Sequence, residues 1–167
     1  MNKALRIVTG APGSGKSTVI EHLLEYSSSS NLVFLDIDLI ADSASALAKS
    51  SIYTDPDTWK PYGKIWFDLL KALAQNGKVP VWFCPNTPQD FQSQDISFFS
   101  EIDWLLLDCD DPTRLKRLSV RNWNESKIKE SLEDAQELRE LNLFTIDTSH
   151  LKPELVANEI IKWLECS

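Results

Sequence analysis

Five short apolar runs punctuate the chain: ALRIVT at 4–9, LVFLD at 32–36, VPVWFC at 79–84, DWLLLDC at 103–109 and LFTID at 143–147. Each is nearly continuous rather than alternating, and rich in β-branched, aromatic or Leu residues. Strands covered on both faces read this way. Between the runs, apolar positions recur at helical spacing. Val19, Ile20, Leu23 and Leu24 mark one face of a helix over 16–26, and an Ala-rich stretch predicts another over 39–49. Trp59, Ile65, Trp66, Leu69, Leu70 and Leu73 mark a longer one over 57–75. Thr87-Pro88 and Asp111-Pro112 each set a capping residue before a Pro at the first helical position. A charged helix over 125–140 has Ile128, Leu132, Ala135 and Leu138 as its buried edge. A last helix from Pro153 buries Leu155, Val156, Ile160, Trp163 and Leu164. The serine-rich stretch 27–31 reads as a flexible turn, and Gly77 as the C-cap of the long helix. There is no repeat, and no linker long enough to divide domains. Five strands alternating with helices predict an α/β fold with a mainly parallel sheet, right-handed crossovers and one domain over 1–167.

Composition narrows the function classes. The 167 residues carry a formal net charge of −8, which disfavours nucleic acid and anionic membrane as bulk partners. Three Cys without C-x-x-C spacing argue against a zinc site or disulfide framework and for reduced thiols. The N-terminal apolar stretch is too short for a signal peptide, and no run approaches the roughly 20 apolar residues of a membrane span. The expectation is a cytoplasmic protein. Six Trp is a high count, read as packing aromatics.

The sharpest signal is TGAPGSGKST at 9–18, where Gly10–Ser17 fits G-x-x-x-x-G-K-S/T between a buried strand and an amphipathic helix. Glycines let successive backbone N–H groups point into one concavity, and the following helix N-terminus adds donors and a favourable dipole. The reading is a triphosphate cradle made of Gly10, Ala11, Pro12, Gly13, Ser14, Gly15, Lys16, Ser17 and Thr18. Lys16 reaches the outer phosphates and the Ser17 hydroxyl is a Mg²⁺ ligand. No D-x-x-G or N-K-x-D occurs, which disfavours a GTPase.

On GAPGSGKS the chain resembles the small P-loop kinases of the nucleoside monophosphate kinase superfamily, close in size to shikimate- and gluconate-kinase-like members. The resemblance implies a three-layer fold with a five-stranded parallel sheet in the order 2-3-1-4-5. It further implies a short lid after the fourth strand, here about 121–127, and phosphoryl transfer from ATP with Mg²⁺. The second strand ends in FLDIDLI, where Asp36 and Asp38, two apart, would share a strand face at the sheet's ligand-binding edge. Similarity to shikimate-type kinases would make Asp36 the Mg²⁺ or base residue and Asp38 an acceptor contact; helix capping is the competing reading for Asp38. The third strand ends without an acid, leaving Asp36 the better metal candidate. Arg114, Arg117 and Arg121 share one helical face. The pair Arg117 and Arg121 is similar to the Arg-x-x-x-Arg entering the lid of adenylate-kinase-like enzymes, which implies that Arg117 stacks on adenine and Arg121 touches transferring phosphate. The chain departs from large lids in having Arg139 as its only later Arg.

The family pattern builds the acceptor site from about 39–78 and the loop after Phe83. No Arg occurs between Asp36 and Glu101. Bidentate Arg suits an acceptor phosphate, so its absence favours a neutral hydroxyl on a nucleoside, sugar or similar alcohol. Tyr62 and Asn86 are the acceptor-contact candidates, with Tyr53, Trp59 and Gln89 nearby; Trp66 reads as core. The leading reading is an ATP-dependent small-molecule phosphotransferase with Lys16, Asp36 and Arg121 at the reacting centre. The alternatives are a nucleoside monophosphate kinase, a nucleotide-binding sensor without transferase activity, and a polynucleotide 5′-kinase, which the acidic balance disfavours.

Overall fold

The computed structural model describes residues 3–27, 31–91 and 96–166. In chain order the strands are β1 (Ala4–Thr9), β2 (Leu32–Asp36), β3 (Val79–Cys84), β4 (Glu101–Asp108) and β5 (Phe144–Asp147). The helices are α1 (Lys16–Ser27), α2 (Ala41–Ala48), α3 (Pro56–Gln75), α4 (Asp111–Val120), α5 (Glu125–Glu140) and α6 (Pro153–Cys166). The strands pair in parallel in the order β2-β3-β1-β4-β5, as the resemblance implied.

Period-two alternation divides the strand side chains between the two faces of the sheet. Leu5, Ile7, Leu35, Trp82 and Cys84 turn to α3, where they meet Tyr62, Trp66, Phe67 and Leu70. Val8, Phe34, Val81, Phe83, Leu105 and Leu107 turn to α1 and α6, where they meet Val19, Leu23, Val156 and Ile160. Ala135 and Leu138 of α5 close over Ala11 and Leu106. Much of the Trp content belongs to one cluster: Trp66 and Trp82 lie 6.1 Å apart between centroids, and Phe91 meets Trp104 edge-on at 5.0 Å. Leu24 and Leu155, expected on buried faces, are about half exposed, so the apolar stripes of α1 and α6 are narrower than their sequences suggest.

Three element ends differ from expectation. β4 starts at Glu101 rather than Asp103, because Arg6 of β1 pairs with both carboxylates across the strand gap. α4 is capped by Asp110, whose side chain accepts from the Thr113 N–H at 2.7 Å, with Pro112 second in the helix. Thr87-Pro88 opens only a 3-10 turn, Pro88–Phe91, with 92–95 outside the described residues. Most of the serine-rich turn also lies outside them.

Gly77 closes α3 as read from the sequence. Its φ is +75°, its N–H bonds Ala74 O, and the Lys78 N–H reaches Leu73 O, the two bonds of a Schellman end. A Cβ there would meet no atom within 4 Å, so the cost of Gly77→Ala is conformational, about 1 kcal/mol. Gly63, inside α3 and equally unobstructed, has the opposite sign: Gly63→Ala is expected to add about 0.8 kcal/mol by helix propensity. Urea denaturation of the two variants checks both signs.

Candidate active site

The loop 10–15 leaves the central strand β1 and enters α1. Gly13 and Gly15 have φ of +83° and +99°, a region open to glycine at little cost. A Cβ on Gly10 would meet Leu107 O at 2.4 Å, so only glycine lets the loop pass β4 this closely. The loop carbonyls are taken from behind. Pro12 O accepts from Arg114 Nη1 at 2.5 Å and Ser131 Oγ at 3.1 Å. Gly13 O accepts from Arg117 Nη1 at 2.9 Å, and Ser14 O from Thr148 Oγ1 at 2.8 Å. Three consecutive carbonyls held this way fix the orientation of the peptide planes that form the anion nest. The first-turn N–H groups of α1 have no intrahelical acceptor.

Behind the loop lies an ion network that sequence reasoning missed. Arg114, fully buried, donates to Asp108 Oδ1 at 2.5 Å, and Arg139 Nε to Asp108 Oδ2 at 2.6 Å. The one available signal was the spacing of Arg114, Arg117 and Arg121. That face does run along the loop: Arg114 beneath it, Arg117 against Gly13 and Thr148, Arg121 at its mouth.

The Lys16 ammonium bonds Gly10 O and sits 3.5 Å from Ala11 O. Burial lowers its pKa to about 8, against the opposing pull of Asp36 and Asp38. Lys16, Ser17, Asp36, Asp38 and Arg121 line one cleft of about 340 Å³ with Tyr53, Trp59 and Trp123. The structure thus brings together the reacting-centre candidates, with one change. β2 stops at Asp36, whose Oδ1 accepts the Asp38 N–H at 3.0 Å and caps a 3-10 turn, Ile37–Ile40. Asp38 reaches the cleft from that turn, not from a shared strand face. Burial, then Asp36 beside it, raises the Asp38 carboxyl, with Lys16 opposing.

Tyr62 does not reach the cleft. It is 2% exposed, and its hydroxyl donates to Ile37 O, bracing the turn that carries Asp38. Tyr53 and Trp59 supply the aromatic wall instead. Asn86 lines an adjoining cavity with Ala11, Pro12 and Trp59, and its backbone carbonyl takes the Thr9 hydroxyl at 2.7 Å. On the other side of the loop, Gly15, Thr18, Arg117, Arg121, Thr148 and His150 border a cavity of about 690 Å³. Residues 121–124 join α4 to α5, a shorter connection than 121–127.

The donors fit a nucleotide triphosphate: a glycine nest, a helix N-terminus, an ammonium and a guanidinium around one cleft. They also fit Mg²⁺, since the Ser17 hydroxyl and the Asp36 carboxylate are hard oxygen donors at the same place. The described residues hold no cluster of three or more side chains that would bind a metal by itself.

A parallel sheet in this order, with a phosphate-binding loop leaving its central strand, defines a P-loop nucleotide-binding fold. The family described as AAA domain matches residues 7–138, and the chain belongs to it. A protein of Methanococcus maripaludis (strain C7 / ATCC BAA-1331), described as "Putative adenylate kinase", is 26% identical over 169 residues, covering 95% of this chain and 87% of its own. A gluconokinase from Sinorhizobium meliloti 1021 superposes with a TM-score of 0.68 at 16% identity, covering 98% of this chain and 92% of that one. A shikimate kinase from Aquifex aeolicus vf5 gives 0.60 at 21% identity, with 96% of each chain covered. At these identities the structural likeness is one of fold. Among the described residues no helix is long and apolar enough to cross a membrane.

Proposed function

We propose that the protein, an ATP-dependent small-molecule kinase, transfers the γ-phosphate to a neutral hydroxyl rather than to a second phosphate. One observation carries this: among the described residues, the cleft joining the loop to Asp36 and Asp38 is lined by a single arginine, Arg121, and no lysine besides Lys16. Those two cations suit the transferring phosphoryl group, and none is left to clamp an acceptor phosphate. The acceptor oxygen attacks the γ-phosphorus and the bond to the bridging oxygen of ADP breaks. The hydroxyl proton passes to a carboxylate, Asp36 or Asp38, and burial, which raises the Asp38 carboxyl, makes that carboxylate a stronger base than an ordinary Asp. Lys16 and Arg121 face the developing charge, and Arg117 lies along the nucleotide cavity. When bound, Mg²⁺ neutralises the phosphate oxygens, with Ser17 and Asp36 as its protein ligands. The three thiols are unpaired, which fits a reducing compartment such as the cytoplasm.

The likeness to a protein described as an adenylate kinase supports the second reading, a nucleoside monophosphate acceptor. ADP release with ATP·Mg²⁺ across nucleosides, nucleoside monophosphates and polyols separates the two. Stimulation by hydroxyl acceptors alone is expected; stimulation confined to monophosphates rejects the proposal. The pH profile has a defined sign. Lys16 holds phosphate only when charged, so kcat/KM for ATP is expected to fall as pH rises through about 8.

A further inference from the structure

Two of the six Trp stand apart from the others. Trp66, Trp82 and Trp104 pack in the cluster between the sheet and α3, and Trp163 packs against the cluster under α1 and α6. Trp59 and Trp123 belong to no core cluster of the described residues. Both line the phosphate cleft, with Tyr53 beside them. Trp59 is 38% exposed and Tyr53 58%. Trp side chains are highly buried on average, so two that leave the core for the same cleft point to a ligand there.

Both rings are held from behind or from either side. Trp59 lies near the start of α3, just after the Asp55 cap, whose side chain accepts the Asp57 N–H at 3.0 Å. Its ring meets Tyr62 at 6.1 Å between centroids, and Tyr62 meets Trp66 edge-on at 6.3 Å, so the core backs the exposed ring. Trp123 sits in the connection between α4 and α5. Asn122 before it has φ of +55°, and the Trp123 N–H reaches Leu118 O at 3.4 Å. Asn124 after it caps α5, accepting the Lys127 N–H at 2.9 Å, and the Lys127 ammonium lies over the Trp123 ring at 5.8 Å. Walls placed in advance leave less ordering to be done when a ligand binds.

The rest of the lining selects what these rings can meet. Pro12, Ile37 and Pro85 add apolar surface. With Lys16, Ser17 and Arg121 on phosphate and metal, the ionisable side chains left in the described lining are Asp36, Asp38 and Tyr53. Two carboxylates without a further cation disfavour a carboxylate-bearing acceptor as they do a phosphate-bearing one. A free sugar or polyol would bring more hydroxyls than so few side chains can pair, and each one buried unpaired is costly. A flat ring needs few hydrogen bonds and stacks on an aromatic face.

We propose that Trp59 and Trp123 hold an aromatic ring of the acceptor, and that the acceptor is a neutral alcohol carrying such a ring, as nucleosides and aryl alcohols do. The proposal rests on the kinase reading above and narrows its substrate class.

The test measures ADP release with ATP·Mg²⁺ for two matched pairs: uridine against methyl ribofuranoside, and benzyl alcohol against cyclohexylmethanol. Each pair keeps the primary hydroxyl and removes the flat ring. In parallel the ¹⁵N-labelled full chain is titrated with the same probes in ADP·Mg²⁺, its Trp59 and Trp123 indole N–H resonances assigned through Trp59→Phe and Trp123→Phe. The ring-bearing member of a pair is expected to move both resonances saturably and to exceed its partner about tenfold or more in kcat/KM. Uridine alone doing so assigns a nucleoside, benzyl alcohol alone an aryl alcohol, and both together the ring itself. Trp59→Leu and Trp123→Leu are expected to raise KM for that acceptor about tenfold, and the Phe variants to restore most of it, which a merely structural role would not do. The melting midpoint serves as the folding control. Equal use of both members of each pair, or an unchanged KM in both Leu variants, rejects the ring site and keeps the kinase. Ring-selective, saturable shifts without ADP release from any probe keep the ring site and reject the phosphoryl-acceptor assignment. No shift and no release with any probe overturns the proposal.

Discussion

Lys16→Ala is expected to lower kcat by about 10³-fold while the chain stays folded. The size follows from removing a preorganised cation from a developing phosphoryl charge in a partly dehydrated cleft. Folding survives because this ammonium is a burden on the folded state. Burial lowers its pKa to about 8 from 10.5, so the unfolded chain binds its proton more tightly than the folded one. Between those values the unfolded state carries this proton and the folded state does not, so the Lys16 contribution to stability rises with pH across that window, against the opposite contribution of the Cys84 thiol, which burial pushes up to about 12. In Lys16→Ala that rise is expected to vanish. Single-turnover kinetics and urea unfolding at several pH values read both effects. A folded variant with full activity would remove the loop from the reaction.

The second large effect is expected at a residue beneath the loop rather than in the cleft. Arg114→Leu should cost about 3 kcal/mol of stability and weaken nucleotide binding together. Arg114 is fully buried and serves two acceptors, Asp108 and Pro12 O. Its loss leaves Asp108 with Arg139, and Pro12 O with the Ser131 hydroxyl, which keeps the cost at the lower end for a broken buried pair. Asp108→Asn in the same background should cost less than the sum of the single changes, because the two share one interaction. Denaturant midpoints and nucleotide titration of the three variants provide the measurement. Additive costs would mean that the pair does not act as a unit.

Some of this was legible in the chain and some was not, for physical reasons. β1, β2 and β3 match their apolar runs end to end, since strands covered on both faces leave a continuous signal. The start of β4 was hidden because its polar residues are made tolerable by Arg6, nearly a hundred positions away. The glycine loop was readable because its chemistry is local. Arg114 reads in the sequence only as one of three arginines on a helical face, and Arg139 only as the one later Arg; that both reach the Asp108 carboxylate depends on α5 returning to the end of β4. Tyr62 misled for a related reason: an aromatic on an amphipathic helix does not say whether it faces a ligand or the core. Residue spacing brought Asp36 and Asp38 to the same place by the wrong route, since the chain leaves the strand between them.

The support behind the loop has a consequence for how the protein is made. The donors that hold Pro12, Gly13 and Ser14 come 102, 104 and 134 residues later in the chain. A polypeptide growing from its N-terminus therefore produces the glycine-rich segment well before the side chains that brace it. During most of synthesis the segment is bare backbone without its braces, and nucleotide in the surrounding solution has little to hold. Ligand-assisted folding of the nascent first half is thereby disfavoured, and a chain truncated before α4 would carry the motif in its sequence without any of these three donors.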